Sequence, residues 1–519
     1  MKKTRTHVMT TYRTLGQLLL QQAETYGRKP YLYWHDEVLS YEQFAERTLR
    51  VANGLAAEDI GKKDHVALLL TNQPAFLYSF FACALLGAVV VPLNPALKAP
   101  EVAYALRNSE AQLLIADEGL RAQARTAAAD QPALRRVLFS GGSGAHDDAF
   151  ESLLHAPATP PDVTVTPTDL MSIIYTSGTT GKPKGVMLTH ANYDYDSEAY
   201  AIACKASPDD RFMCVLPLFH VNAQVASTLA ALRKGGALIL MEGFSPSTFL
   251  PAVERYEATS FSGVPTVYAI LNDLEEADQY DLSSLRVCIC GAAPMPVEVF
   301  NRFERTYNAF ILEGYGLSEG TCVSTLNPLD GRPRKIGSIG VPLPGQEVRI
   351  VGDGGDTAAT GEVGEIVIRG PNVMEGYYRN PAATDEALKE GWLHTGDLGY
   401  VDADGYFYIE GRKKEMIIRG GENIYPKEIE EVLYTHEAVK EAAVIGIPDE
   451  VWGEEVAAVL VLQDDQTLTP ADVRAYCQDH LADYKCPRVV YYRDTLPKTA
   501  TGKIQKVALA EAYADESTS

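Results

Sequence analysis

A helix-patterned segment followed by a short apolar run recurs along much of this chain, and that rhythm restricts it to few architectures. Ser40-Tyr-Glu-Gln-Phe44 opens a helix that runs through Ala57, with Ser40 as N-cap and Glu42-Gln43 in the first turn. His65-Val-Ala-Leu-Leu-Leu70 follows as a buried strand. Residues 101–108 are helical and Ala111-Gln-Leu-Leu-Ile115 is a strand. Residues 247–257 and 260–264 repeat the pair, and Leu285-Arg-Val-Cys-Ile-Cys290 is a further strand. Strands that are apolar on both faces need cover on both, and helices between them supply it while letting the strands run parallel. The spacing predicts parallel sheets covered on both faces. A chain of 519 residues exceeds one ordinary core, so about three or four compact units are expected.

The texture changes after about residue 335. Glu347-Val-Arg-Ile-Val351, Gly364-Glu-Ile-Val-Ile-Arg369 and Gly405-Tyr-Phe-Tyr-Ile-Glu410 alternate over short lengths between glycine turns, the pattern of a small β-barrel-like unit. From Arg412 onward, charged helices mix with strands such as Ala442-Ala-Val-Ile-Gly446. Ser140-Gly-Gly-Ser-Gly-Ala-His-Asp147 reads as an exposed loop. Residues 75–91 are uncharged, but they fall short of the ~20 a membrane helix needs. Pro74 before them and Gly87-Ala-Val-Val-Val-Pro92 within read better as a buried helix turning into a strand, so no integral membrane segment is expected. Lys2-Lys3-Thr-Arg5 has no long apolar segment behind it, which disfavours a signal peptide. The eight scattered cysteines lack a metal-ligand pattern, even at Cys288 and Cys290, and read as buried thiols in a reducing cytoplasm.

A net charge of −23 argues against nucleic acid or an anionic membrane as main partner. A polyanionic substrate would have to meet local basic clusters, of which Arg332-Pro-Arg-Lys335, Arg412-Lys-Lys414 and residues 498–506 are candidates. Tyr175-Thr-Ser-Gly-Thr-Thr-Gly-Lys-Pro-Lys-Gly-Val186 is the loop most suited to such a ligand. Its glycines allow N–H groups to approach closely, its hydroxyls add donors and its lysines add charge, as wrapping polyphosphate oxygens requires. It is not a Walker A loop, because only Thr179-Thr180 separate Gly178 from Gly181-Lys182.

That loop resembles the phosphate-binding signature of the adenylate-forming enzymes, the superfamily of acyl-CoA synthetases, firefly luciferase and peptide-synthetase adenylation domains. Four further segments resemble its motifs in the same order. Tyr315-Gly-Leu-Ser-Glu319 is similar to the adenine and magnesium motif, and Gly391-Trp-Leu-His-Thr-Gly-Asp397 to the ribose motif. Gly411-Arg-Lys-Lys-Glu-Met-Ile417 is similar to the interdomain hinge, and Pro497-Lys-Thr-Ala-Thr-Gly-Lys503 to the catalytic-lysine motif. The resemblance implies an α/β fold: a large N-terminal domain (1–411) of two helix-covered sheets plus a small β-barrel, and a small mobile α+β C-terminal domain (412–519).

It also implies the reaction. A carboxylate attacks the α-phosphorus of ATP, pyrophosphate leaves, and a thiol then attacks the acyl-adenylate, with CoA as the expected thiol. Thr176, Ser177, Gly178, Thr179, Thr180 and Lys184 would hold the β- and γ-phosphates, and Glu319 would bind Mg2+. Gly291, Ala292, Ala293, Glu313, Gly314, Tyr315 and Gly316 would form the adenine side, with Ser318 donating to the α-phosphate. Asp397 and Arg412 would hold the ribose, and Lys503 would bridge carboxylate and α-phosphate as charge builds. Lys414 would be the hinge about which the C-terminal domain turns between the two steps, exposing Gly420 and Gly421 to pantetheine.

Leu216-Pro-Leu-Phe-His220 resembles the acyl-side motif, with His220, Val221, Asn222, Gly263, Val264 and Gly316 lining the acid. His220 stands where amino-acid activators place an aspartate. The remaining wall, Val221-Asn-Ala-Gln-Val-Ala226, Phe261-Ser-Gly-Val-Pro-Thr266 and Gly320-Thr-Cys-Val323, holds no basic residue, so a second carboxylate is disfavoured. The pattern is most similar to bacterial medium- and long-chain fatty acyl-CoA synthetases. Aryl acids of the cinnamate or benzoate type are the alternative, as is loading of a carrier-protein phosphopantetheine. A catalytically dead nucleotide sensor and a luciferase-like oxygenase are the other readings weighed. A homodimer is compatible with the sequence.

Overall fold

The computed structural model describes residues 11–142, 148–176, 183–293, 295–352, 354–420, 422–449, 451–499 and 504–514. The predicted rhythm of helix and strand is present. Tyr41–Ala57 is a helix whose Ser40 and Gln43 bond reciprocally as a capping box. The uncharged stretch forms a buried helix, Pro74–Leu86, capped by Gly87 at φ +68°, and then the strand Val89–Pro92. Among the described residues no helix is long and apolar enough to cross a membrane. All eight cysteines are buried and unpaired.

Two large sheets result. The first has nine strands, and six neighbours within it run parallel: Phe310–Tyr315, Val287–Cys290, Ser260–Gly263, Arg211–Cys214, Ala237–Leu240 and Pro30–Trp34. The second has seven strands with a parallel centre, and Lys184–Thr189 and Gly376–Tyr377 add antiparallel at one edge. In the second sheet alternate side chains go to different cores. Val66, Leu68 and Val90 join the large core that includes helices Tyr41–Ala57 and Pro74–Leu86. Ala67, Leu69, Val89 and Val91 pack instead with Val102, Leu106 and Ala124. Both faces are dry, as the apolar runs require.

The third unit is antiparallel, with Trp392–Val401 at its centre. Gly364–Arg369 pairs with one edge of that ten-residue strand, while Leu388–Lys389 and Phe407–Arg412 share the other. Because two short strands lie end to end along one edge, the ladder does not close among the described residues. The barrel-like unit is an open five-stranded sheet.

Beyond residue 412, the helices Pro426–Tyr434 and Pro470–Gln478 and the hairpin of Val439–Asp449 with Gly453–Leu462 build two further apolar clusters. These clusters draw only on residues from Ile417 onward, and the two clusters before them end at Ile409. Among the described residues no apolar cluster spans the turn between.

Candidate active site

Four loops converge because four neighbouring strands run parallel. Arg211–Cys214, Ser260–Gly263, Val287–Cys290 and Phe310–Tyr315 lie side by side in that order. Their carboxyl ends open at one edge of the sheet, where ligands bind in open α/β folds. The loops beyond them carry His220, Val221 and Asn222; Val264; Gly291, Ala292 and Ala293; and Gly316, Ser318 and Glu319. Gly263, Glu313 and Gly314 sit in the strand ends themselves, and the N–H of Gly291 donates to the carbonyl of Gly263 at 3.3 Å.

Backbone geometry is tight here. A Cβ on Gly316 would lie 1.6 Å from the carbonyl oxygen of Cys322. That oxygen is placed by a three-residue turn in which the Cys322 N–H donates to Gly320 O at 2.8 Å, with Thr321 at φ +67°, ψ −62°. This conformation is strained for a β-branched residue. The Thr321 hydroxyl holds it by donating to Asn372 O at 2.6 Å. Ala292 is also left-handed, at φ +69°. Strain of roughly 1–3 kcal/mol per residue persists where the surroundings enforce it.

Lys184 and Glu319 meet on Tyr377. The Tyr377 hydroxyl donates to Glu319 Oε1 at 2.9 Å, and Lys184 Nζ lies 4.7 Å from the centre of its ring. Main-chain bonds set this up: Met374 N–H to Glu319 O at 2.9 Å, Glu375 N–H to Met187 O at 3.0 Å and Tyr378 N–H to Gly185 O at 2.7 Å. Residues 374–378 thereby stitch the second sheet to the Glu319 loop of the first. Burial and the Glu319 carboxylate push the Tyr377 phenol up, so it stays a donor.

A second cluster joins the third sheet. Buried Asp397 accepts from the Tyr315 hydroxyl at 2.6 Å on one oxygen, and its other oxygen forms an ion pair with Arg412, whose Nε lies 2.8 Å away. Asp397 and Arg412 face each other on paired strands. An ionised carboxylate offers about four lone-pair sites, so two remain for hydroxyl donors. Glu313, nearby on the strand that ends at Tyr315, accepts from Gly337 N–H at 2.8 Å. Burial raises its carboxyl to about 7, opposed by that bond and by Lys427.

The surroundings of His220 are less polar but not inert. His220 Nε2 is buried without a partner among the described residues, and burial lowers its imidazole to about 4, leaving it neutral at neutral pH. Asn222 Oδ1 and Ser262 Oγ are likewise buried and unpartnered among the described residues. Phe261 packs on Phe249, Tyr268 and Phe303, so strand alternation turns Ser262 to the opposite face. Beyond Asn222 the chain forms a π-helix, Ala223–Leu229, a widened form frequent at functional sites.

Ser177, Gly178, Thr179, Thr180, Gly421 and Lys503 lie outside the described residues. Their flanks are placed. Thr176 and Lys184 are antiparallel partners closing the first loop, and Lys498 bridges Ile504 around the segment that contains Lys503. Lys414 is exposed in the turn joining Phe407–Arg412 to Ile417–Arg419. Gly420, at φ +60°, bonds to Trp452 O at 2.8 Å rather than to either cluster. The basic run at 332–335 is paired within the protein. Arg332 pairs with Asp330, Arg334 with Glu304 and Lys335 with Asp402 and Asp404, acids the sequence does not reveal as partners. Tyr377 and the turn at Thr321 were not foreseen. Only the position of Tyr377 inside Gly370-Pro-Asn-Val-Met-Glu-Gly-Tyr-Tyr378 could have marked it.

The family model of the AMP-binding enzymes matches residues 19–378, and that of the AMP-binding enzyme C-terminal domain matches residues 428–503. A feruloyl-CoA synthase of Amycolatopsis sp is 41% identical over 468 residues, spanning 90% of this chain and 92% of that protein. A long-chain-fatty-acid–CoA ligase of Bacillus subtilis is 35% identical over 535 residues, spanning 96% and 94%. Among solved structures, the anthranilate CoA ligase AuaEII in complex with anthranoyl-AMP matches with a TM-score of 0.92 at 29% identity, covering 98% of this chain and 99% of that one. The chain belongs to the AMP-binding enzyme family and is an AMP-forming acid–thiol ligase.

Two outcomes follow from this geometry. Gly316→Ala must displace the Cys322 carbonyl, and with it the Glu319 loop. Acid-dependent pyrophosphate release should fall on the order of a hundredfold, and retention of wild-type rate would show that the loop tolerates the shift. Glu313 has a folded pKa above its unfolded value, so its ionisation costs stability as pH rises from about 4.5 through 7. Thermal melts should find Glu313→Gln neutral near pH 4 and stabilised by roughly 1–3 kcal/mol at pH 8. A gain that is the same at both pH values would refute the assignment.

Proposed function

We propose that this chain joins an apolar monocarboxylic acid to the thiol of CoA through an acyl-adenylate, with both steps at the edge where the three sheets meet. The observation that carries this is that Lys184 and Glu319 meet on Tyr377, Tyr315 and Arg412 meet on Asp397, and Arg412 also feels the Glu319 carboxylate electrostatically, so that one nucleotide would meet a cation, a carboxylate and a hydroxyl-binding acid. Lys184 and the loop donors from Thr176 through Thr180 hold the β- and γ-phosphates. Gly291, Ala292, Ala293, Glu313, Gly314, Tyr315 and Gly316 frame the adenine. Ser318 donates to the α-phosphate, and Asp397 and Arg412 take the ribose hydroxyls.

Glu319 suits Mg2+, because Tyr377 occupies one side of its carboxylate and leaves hard oxygen lone pairs for a cation whose other ligands are phosphate oxygens and water. Mg2+ there would neutralise phosphate charge. The acid's carboxylate oxygen forms a bond to the α-phosphorus as the bond to pyrophosphate breaks, and Lys503 stabilises the charge between them. Neutral His220 adds no charge next to the acid.

We divide the chain into functional domains at 411/412, supported by apolar clusters that stop on either side of the turn. Rotation about Lys414 then withdraws Lys503 and presents Gly420 and Gly421 to pantetheine. The thiol sulfur attacks the acyl carbon, loses its proton, and AMP leaves. A reducing cytoplasm suits eight unpaired cysteines.

For the acid, we put ring-bearing acids with a hydroxyl or amino substituent ahead of the straight chains the sequence placed first. Asn222 and Ser262 each offer a buried acceptor that an alkyl chain would leave unpaired, at roughly 1–3 kcal/mol apiece. The likeness to the Amycolatopsis and anthranilate enzymes supports this reading, and the likeness to the Bacillus ligase supports straight chains.

A pyrophosphate-release screen decides. Hydroxylated or amino-substituted aryl acids should exceed straight chains of about six carbons or more by roughly tenfold in kcat/KM, and both should exceed acetate, malonate and amino acids. A straight-chain optimum would restore the fatty-acid reading, and a preference for malonate or an amino acid would end both. In parallel, Lys503→Ala should abolish adenylation yet leave thioester formation from supplied acyl-adenylate largely intact. Equal loss in both steps would refute its assigned role. Replacing CoA by a phosphopantetheinylated carrier protein should lower the second rate, and a higher rate would make the carrier the acceptor.

A further inference from the structure

The seam between the two halves of the chain is polar, and one lysine stands out in it. Lys427 is the second residue of the helix Pro426–Tyr434, beyond the turn at Lys414, and its side chain is 16% exposed. Its ammonium donates to the carbonyl of Ile409 at 2.7 Å, and Ile409 lies before the turn, in the strand Phe407–Arg412. Any rotation about the turn must change that distance.

Two features oppose a cation at this place. A helix N-terminus carries partial positive charge, so a lysine in the first turn is opposed by the helix dipole. Near-burial adds a desolvation cost. The acids around it compensate. Glu431, one helical turn on, lies 3.3 Å away. Glu313 and Glu410, on the other side of the turn, both feel the lysine and Glu431 electrostatically. Glu428 is already engaged by Lys485 at 2.7 Å. The seam therefore sets Glu313 and Glu410 from one half against Glu431 from the other, with Lys427 as the cation among them. Like charges push the halves apart, and the lysine draws them together.

The strand Phe407–Arg412 also needs a partner. It pairs along one edge with Trp392–Val401, and among the described residues its other edge has a bridge to Gly340 at Phe407 alone. Lys427 supplies a donor to that open edge without the permanence of another strand.

We propose that Lys427 is a positioning residue, an ionic latch across the hinge that holds the C-terminal half in the orientation of this structure and must release for the other half-reaction. The inference rests on the two-orientation reading given under the proposed function. A latch made of one charge-assisted hydrogen bond shifts an equilibrium on the order of tenfold, enough to set the balance between two orientations and weak enough to be broken each turnover.

The test uses the full-length protein and three variants. Lys427→Met keeps the stem and removes the charge, Lys427→Arg restores a cation, and Lys414→Pro restricts the hinge itself. The two half-reactions are measured separately, as acid-dependent ATP–pyrophosphate exchange and as thioester formation from supplied acyl-adenylate. With Lys427→Met the two rates should move in opposite directions, changing their ratio by about tenfold, and Lys427→Arg should return the ratio toward wild type. Trypsin cleavage at Lys413-Lys414, scored by fragment size, should quicken several-fold in Lys427→Met, a readout independent of catalysis. A lysine that merely supports folding would lower both rates together, and an inert one would change neither; either result overturns the latch. If Lys414→Pro leaves both half-reactions at wild-type ratio, it is the two-orientation reading that fails.

Discussion

Asp397 is the point on which the rest of the site depends. One of its oxygens takes the hydroxyl of Tyr315 at 2.6 Å and the other takes Arg412 at 2.8 Å. Tyr315 ends a central strand of the first sheet, Asp397 sits in the middle strand of the third, and Arg412 is the last strand residue before the turn at Lys414. A single buried carboxylate therefore ties the first sheet to the third and holds the end of the strand Phe407–Arg412. Removing it would leave a buried phenol and a guanidinium without their acceptor. Such one-sided losses cost more than the bonds themselves contribute.

Around that anchor the site is held by backbone, not by a rigid side-chain cage. The strand order brings four loops to one edge, and the segment 374–378 carries three main-chain bonds that tie the second sheet's edge to the Glu319 loop. The strained turn at Thr321 and the missing Cβ at Gly316 are parts of the same fit, because the turn points the Cys322 carbonyl into the space that a side chain at 316 would fill. Preorganisation of this kind matters for phosphoryl chemistry, in which positioning and charge supply most of the catalysis.

Much of this was legible in the sequence. The capped helix from Ser40, the buried helix between Pro74 and Gly87, and the parallel strands announced themselves because local periodicity and capping are encoded within a few residues. Lys184, Glu319, Asp397 and Arg412 were each marked by motif resemblance; in the structure Lys184 and Glu319 both reach Tyr377, and Arg412 pairs with Asp397. What stayed hidden was non-local. The contact of Tyr377 with Glu319 spans 58 positions, and nothing in either neighbourhood announces it. The basic run at 332–335 misled because its acids, Glu304, Asp402 and Asp404, arrive from other elements. The alternating pattern was right about the strands, but the small β-barrel implied by the resemblance is an open sheet among the described residues, because two short strands share one edge of Trp392–Val401.

The central claim is that the acid is activated through its own oxygen at the α-phosphorus of ATP. It can be read directly by running one turnover with an acid whose carboxylate carries heavy oxygen and weighing the products by mass spectrometry. The account predicts one labelled oxygen in AMP, none in pyrophosphate, and the remaining label in the thioester carbonyl. Label in inorganic phosphate or pyrophosphate, or AMP without label, would contradict it.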